Sequence, residues 1–149
     1  MAVLVTGGAG YIGSHTVAAL LERGESIVVL DNLQQGHKEA LLGGKLYVGD
    51  LRDADVLDKV FTENQIDAVI HFAANSLVGE SMKIPGKYYH NNVYGTLCLL
   101  EKMQEHGVGK LYSPLRLPLT ASLRMCRSTR MTGRFRPTHM AKRSWLWRR

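Results

Sequence analysis

The chain has 149 residues, of which 45% are hydrophobic and 21% are charged, and its formal net charge at pH 7 is +6. We expect neither a secretory signal nor a membrane span, because the amino end has no basic region and no apolar run has the length needed to cross a bilayer. The two cysteines, Cys98 and Cys126, provide neither a disulfide framework nor a metal-binding spacing, which favours a cytoplasmic protein.

The amino-terminal segment predicts a strand, a glycine-rich turn, a helix and a second strand. Residues 2–6 are mostly apolar, as in a buried strand, and residues 7–13 contain glycines spaced Gly-x-x-Gly-x-x-Gly. A helix is predicted over about residues 11–23, with Gly24 as its stop. Residues 26–30 then predict the second strand, because they include an unbroken apolar run.

This order of elements is typical of a dinucleotide site. Glycines let the backbone approach a pyrophosphate closely, and the helix amino end offers free N–H groups and a positive dipole to the phosphates. Asp31 stands at the carboxyl end of the second strand, where it would accept hydrogen bonds from ribose hydroxyls and repel a 2′-phosphate. The pattern therefore predicts a site that prefers NAD over NADP.

A third strand and a second helix follow. Residues 45–48 predict the strand, and Asp53 is placed as the N-cap of a helix over about residues 54–63. The apolar residues of this helix recur at helical spacing and are expected on its inner face: Val56, Leu57, Val60 and Phe61.

The alternation continues up to Leu111. Residues 67–72 predict a strand buried on both faces, and Pro85 precedes a long helix over about residues 88–106 with apolar residues at helical spacing. A fifth strand is predicted to begin near Leu111. Strands that alternate with helices favour an α/β fold, so we predict a Rossmann-type, doubly wound parallel sheet that is truncated at its fifth strand.

Five segments of residues 1–111 are informative when taken together, and they are residues 6–15, 31–33, 49–51, 71–74 and 89–96. In these segments the chain resembles the UDP-glucose 4-epimerases, which belong to the extended short-chain dehydrogenase/reductase family. The resemblance implies a tightly bound NAD, UDP-glucose and UDP-galactose as substrates interconverted through a 4-keto sugar, and a homodimer in the full-length family.

The resemblance also implies which residues contact NAD. They are Gly7, Gly10, Tyr11, Ile12 and Gly13 around the pyrophosphate, Asp31 and Asn32 at the adenosine ribose, Asp50 and Leu51 beside the adenine, Phe72, Ala73 and Ala74 towards the nicotinamide, and Asn91 on the opposite wall.

The acid–base motif of this family, Tyr-x-x-x-Lys, is absent from the chain. None of the six tyrosines is followed by a lysine four residues later. We therefore predict no catalytic residue and an inactive fragment of an epimerase. Two alternatives remain open: an NAD-binding module without catalysis, and another NAD-dependent sugar-nucleotide epimerase or dehydratase.

The charge of the chain divides sharply after Leu111. Residues 1–111 contain all 13 acidic residues and 9 of the 19 basic ones, whereas residues 112–149 contain 10 basic residues and no acid. A single globular domain seldom separates its charges in this way. We predict an NAD-binding segment over residues 1–111 and a basic, disordered tail over residues 112–149, with no substrate domain. Nucleic-acid binding by this tail is the less favoured interpretation, because no recognition motif accompanies the charge.

The tail is also consistent with a shifted reading frame. If the third base of each codon is read with the first two of the next, Met140-Ala141 must give glycine, and His139-Met140 gives tyrosine or histidine. Over residues 139–144 this shifted reading permits Tyr-Gly-Glu-Thr-Lys, which contains the missing motif. A single-base deletion shortly after the codon for Leu111 would produce this pattern.

Overall fold

The computed structural model describes residues 1–113, which contain a five-stranded parallel sheet and five α-helices. The strands are β1 (Ala2–Thr6), β2 (Ile27–Asp31), β3 (Lys45–Val48), β4 (Ile66–His71) and β5 (Leu111–Tyr112). The helices are α1 (Tyr11–Glu22), α2 (Ala54–Glu63), α3 (Val78–Lys83), α4 (Pro85–Tyr89) and α5 (Gly95–Glu105), with a 3-10 turn at Lys38–Ala40 and a π-helical turn at His90–Tyr94. None of the helices among these residues has both the length and the hydrophobicity to span a membrane.

The order of the strands across the sheet is β3-β2-β1-β4-β5, and every neighbouring pair is parallel. The chain leaves β1 towards one edge and returns to β4 on the other side of β1. The carboxyl ends of β1 and β4 therefore border the point at which the strand order reverses, and ligands of open α/β sheets bind at such a point. The predicted Rossmann-type fold is confirmed.

Helices cover both faces of the sheet, because the strands have apolar side chains on both faces. On one face Leu4 and Leu30 pack in a core with α2 and α5, and on the other Val5 and Val29 pack with Val17 of α1. Alternate residues of a strand point to opposite faces, so each strand contributes to both cores. Because only residues 7–10 separate β1 from α1, the amino end of α1 lies close to the carboxyl end of β1.

The described chain forms two units, residues 1–75 with 89–113, and residues 76–88. The first contains the sheet. In the second, the Glu80 carboxylate lies 2.8 Å from the Lys87 ammonium and accepts a hydrogen bond from the Tyr88 hydroxyl. Burial and the neighbouring Glu80 carboxylate raise the pKa of Tyr88 to about 12.

Most predicted boundaries agree with the structure to within one residue. The long helix predicted over residues 88–106 is present as a continuous helical segment, but its hydrogen bonding is not α-helical throughout, because the π-helical turn lies between α4 and α5. In this segment Leu97 is 45% exposed, whereas the polar residues Asn92 and Thr96 are buried. These two polar side chains tolerate burial because each has hydrogen-bond partners. The prediction for residues 114–149 lies outside the described residues.

Candidate functional site

The glycine-rich turn connects β1 to α1 through very close backbone contacts. Gly7 has a φ of +70°, and a Cβ atom there would lie 2.6 Å from the Ala73 backbone nitrogen. A Cβ at Gly13 would lie 2.2 Å from the Gly7 carbonyl oxygen. Both distances are far below van der Waals contact, so the turn adopts this conformation only with glycine at these two positions.

Helix α1 begins without a side-chain cap and without an acidic residue in its first turn. Helix α2 differs, because the Asp53 carboxylate accepts hydrogen bonds from the backbone N–H groups of Asp55 and Val56. The positive end of the α1 dipole is therefore not compensated within its own first turn. Tyr11 and Ile12 form that turn and are 83% and 42% exposed, so a ligand can reach it.

Asp31 lies at the carboxyl end of β2 and is 7% exposed. Its Oδ2 accepts a hydrogen bond from the Ala9 backbone N–H at 2.9 Å, and its Oδ1 accepts one from Leu33 at 2.8 Å. Each carboxylate oxygen can accept a second hydrogen bond. The Asp31 side chain therefore links the glycine-rich turn to the chain after β2 and retains acceptor capacity for hydroxyl groups.

Asp50 follows β3 and forms the centre of a polar cluster. Its carboxylate accepts hydrogen bonds from the Arg52 side chain at 2.5 and 2.7 Å, from the Arg52 backbone N–H at 2.9 Å and from the Asn32 amide at 3.3 Å. The hydrogen bonds from Arg52 lower the pKa of Asp50 to about 2. Leu51 lies beside it, and among the described residues no acceptor is assigned to the Leu51 backbone N–H.

The lowered pKa of Asp50 predicts a dependence of stability on pH. Because the folded-state pKa lies below the ordinary value of 3.8, the ion pair stabilises the fold above about pH 4 and is lost as the pH falls through about 2. Asp50→Asn is expected to lower the free energy of unfolding by no more than about 1 kcal/mol at pH 6, since the pair is partly exposed to solvent. Urea denaturation at pH 2, 4 and 6 measures this difference, and a difference that stays constant down to pH 2 would contradict the assignment.

The chain after β4 is fixed by side chains of the π-helical turn. The Asn92 side chain accepts a hydrogen bond from the Asn75 backbone N–H at 2.7 Å and donates one to the Asn75 carbonyl at 2.9 Å. The Asn91 side chain donates to the Asn92 amide oxygen at 2.9 Å. Sequence reasoning selected Asn91 and missed Asn92, although the pair of asparagines in the sequence was a signal that could have suggested both.

A buried histidine joins β1, β4 and α5. His71 Nδ1 lies 2.7 Å from the Thr6 hydroxyl oxygen, and Nε2 lies 3.1 Å from the Thr96 hydroxyl oxygen. The Thr96 hydroxyl donates its proton to the Asn92 carbonyl, so it accepts a hydrogen bond from His71 Nε2. These contacts place His71 as a packed residue at the strand end.

The structure brings most of the predicted residues together at the carboxyl ends of neighbouring strands. Phe72 donates its backbone N–H to the Thr6 carbonyl at 2.8 Å, and Ala73 lies against Gly7. Asn91 reaches this edge only through Asn92 and Asn75.

Among residues 1–113 no cluster of His, Cys, Asp or Glu has the geometry of a metal site. The pKa values of Tyr88 and Tyr94 are raised, which is opposite to what a general base requires.

The chain matches the family model of the NAD dependent epimerase/dehydratase family over residues 3–114. It is 65% identical over 111 residues to the UDP-glucose 4-epimerase of Halalkalibacterium halodurans, a match that covers 74% of this chain and 33% of that protein. The chain spans about a third of the length of the curated relatives it matches.

Solved structures show the same similarity. A crystal structure of a UDP-glucose 4-epimerase, 57% identical, superposes with a TM-score of 0.75 over 76% of this chain and 35% of that one. A second, from Bifidobacterium longum in complex with NAD+ and UDP, is 44% identical and superposes with a TM-score of 0.74 over 76% and 36% of the two chains. With its glycine-rich turn, strand order and sequence all in agreement, the chain belongs to the NAD dependent epimerase/dehydratase family.

Proposed function

We propose that residues 1–113 form the NAD-binding part of a UDP-glucose 4-epimerase. The observation that carries the proposal is the uncapped amino end of α1, which follows a turn of closely packed glycines and lies beside Asp31. The relatives whose structures contain NAD support it, because their folds superpose on this one.

The described residues fit a dinucleotide. A Cβ atom at Gly10 would meet only the Gly7 carbonyl oxygen, at 3.4 Å, so the packing of the chain does not account for a glycine at this position. A pyrophosphate that approaches the α1 amino end would account for it. The Asp50 carboxylate and the adjacent Leu51 N–H form an acceptor–donor pair, which matches the amino group and ring nitrogen of adenine.

In this proposal each predicted residue has one task. The backbone of Gly7, Gly10, Tyr11, Ile12 and Gly13 holds the pyrophosphate, Asp31 and Asn32 hold the ribose, Asp50 and Leu51 hold the adenine, and Phe72, Ala73, Ala74 and Asn91 form the walls beside the nicotinamide. When bound, NAD supplies the acceptor and donor of a hydride, while the protein supplies position.

The chain as written is proposed to be non-catalytic. Its 149 residues contain no Tyr-x-x-x-Lys motif, and the raised pKa values of Tyr88 and Tyr94 make these two tyrosines unsuitable as substitutes. The full-length family member would bind a UDP-sugar and assemble as a homodimer in the cytoplasm. The retained alternatives are an NAD-binding module without catalysis and a different NAD-dependent sugar-nucleotide epimerase or dehydratase.

The choice between NAD and NADP tests the role of Asp31. We expect the full chain to bind NAD at least about tenfold more tightly than NADP, because a 2′-phosphate would meet the buried Asp31 carboxylate. Asp31→Asn should reduce this ratio to about threefold or less, since the amide keeps one acceptor but carries no charge. Isothermal titration calorimetry with both dinucleotides measures the ratio.

Glu39→Gln is the matched control, because it removes one negative charge from an exposed 3-10 turn. Its ratio should equal that of the wild type. Equal affinities of the wild type for NAD and NADP would show that Asp31 does not contact the ribose, and failure to bind either dinucleotide would overturn the proposed function.

A further inference from the structure

Arg52 holds the Asp50 carboxylate through three hydrogen bonds. Its Nε lies 2.7 Å from Oδ1, its Nη2 lies 2.5 Å from Oδ2, and its backbone N–H donates to Oδ1 at 2.9 Å. A guanidinium that contacts both oxygens fixes the plane of the carboxylate as well as its charge. The Asp50 side chain is therefore oriented by a residue only two positions further along the chain.

The guanidinium is in turn held by the π-helical turn. Arg52 Nη1 lies 3.0 Å from His90 Nδ1, so this ring nitrogen accepts the hydrogen bond. The His90 ring stacks on Tyr94 with 5.2 Å between ring centroids. Arg52 thus connects the chain after β3 to the turn that also carries Asn91 and Asn92.

One acceptor position of the Asp50 carboxylate is held by a long hydrogen bond that a ligand could replace. Two oxygens accept about four hydrogen bonds in total, and Arg52 donates three of them. The fourth comes from the Asn32 amide at 3.3 Å, which is the longest of the set. A ligand amino group can replace this long contact, and its direction of approach is set by the plane in which Arg52 holds the carboxylate.

We propose that Arg52 is a positioning residue that acts through Asp50 to select a purine with an amino group at C6 over a purine with a carbonyl there. The proposal rests on the proposed NAD site. An ionised carboxylate only accepts hydrogen bonds, so it attracts the amino group of adenine and repels the C6 carbonyl of hypoxanthine. Arg52 fixes the orientation of the ionised Asp50 carboxylate, and the hydrogen bond to His90 holds Arg52 in place.

The test compares NAD with nicotinamide hypoxanthine dinucleotide, in which a carbonyl replaces the C6 amino group of the purine and N1 carries a proton. The full 149-residue chain should bind NAD about tenfold or more tightly, the range expected of a charge-assisted hydrogen bond. Arg52→Met should reduce this ratio to about threefold or less, with most of the loss in NAD affinity. Arg23→Met is the matched control, because Arg23 is the one other arginine among residues 1–113 and lies at the end of α1.

Two further variants distinguish the orienting effect of Arg52 from the effect of its positive charge and from a loss of folding. Arg52→Lys keeps the positive charge but cannot contact both oxygens, so its ratio should fall between those of the wild type and Arg52→Met. His90→Leu removes only the hydrogen bond that holds Arg52 from the π-helical turn, so it should lower the ratio by a smaller factor without unfolding the chain. An NMR titration of Asp50 should show a higher carboxyl pKa in Arg52→Met than in the wild type.

The outcomes distinguish this inference from the proposed function. If the wild type binds neither dinucleotide, the NAD site is overturned and the role of Arg52 with it. If the wild type binds NAD but Arg52→Met keeps the same ratio, or loses affinity for both ligands equally, only the role of Arg52 is overturned. A full wild-type ratio in Arg52→Lys would likewise exclude orientation as the cause.

Discussion

The 149-residue chain should show no conversion of UDP-galactose to UDP-glucose above background, whereas a chain decoded in the shifted frame after Leu111 and continued through the downstream coding region should show it. The shifted frame restores a tyrosine followed four residues later by a lysine, in the codons that now encode residues 139–144. Positioned acid–base groups contribute about 10²–10⁴-fold in rate, and loss of substrate positioning removes more. A coupled assay of UDP-glucose formation measures both chains.

The restored frame has a matched control of its own. Replacing the decoded tyrosine by phenylalanine removes one hydroxyl and should abolish the recovered activity while leaving NAD binding unchanged. Turnover by the unmodified 149-residue chain would show that another base exists. Sequencing the gene across the codons for residues 110–114 tests the deletion independently, because an intact frame there would remove the basis for this interpretation.

Gly13→Ala is expected to destabilise the fold by about 3 kcal/mol or more, whereas Gly10→Ala should cost less than about 1 kcal/mol. A methyl group at Gly13 would lie 2.2 Å from the Gly7 carbonyl oxygen, which is a backbone atom of the same tight turn and cannot move away as a flexible side chain could. A methyl group at Gly10 meets only one atom, at 3.4 Å. Urea denaturation of the two variants measures the difference.

The same two variants distinguish a glycine that the packing of the turn requires from a glycine that NAD binding requires. Gly10→Ala places its methyl group in the space proposed for the pyrophosphate, so NAD affinity should fall by about tenfold or more, equivalent to 1.4 kcal/mol, although the fold is intact. Calorimetric titration with NAD provides the readout. Normal NAD affinity in Gly10→Ala would place the pyrophosphate elsewhere, and an unchanged stability in Gly13→Ala would contradict the geometry of the turn.

The sequence predicted the elements that local rules determine. Helix α2 was predicted with the observed bounds, because its N-cap Asp53 and its apolar spacing both lie within the helix or beside it. The glycine-rich turn and Asp31 were placed correctly at the carboxyl ends of β1 and β2 for the same reason, since each strand is a short apolar run bounded by its own turn.

The prediction was incomplete where distant partners decide the structure. Asn92 and Thr96 are buried in the segment predicted as one continuous helix, and their partners, Asn75 and His71, lie 17 and 25 residues earlier in the chain. Periodicity counts apolar residues and therefore gives no signal for buried polar side chains. The prediction of the residues around Asp50 was also incomplete, because Arg52 and His90 lie 38 positions apart in the sequence and their contact depends on the fold.

The uncapped amino end of α1 limits the ways in which anion binding at this helix end could be regulated. Its first turn, residues 11–14, contains no lysine, arginine or histidine, so the attraction would come from peptide dipoles. Peptide N–H groups do not titrate near neutral pH and cannot be acetylated or methylated in the way a lysine can. Lysine acetylation or methylation therefore could not remove this attraction, which depends on the backbone conformation of the turn.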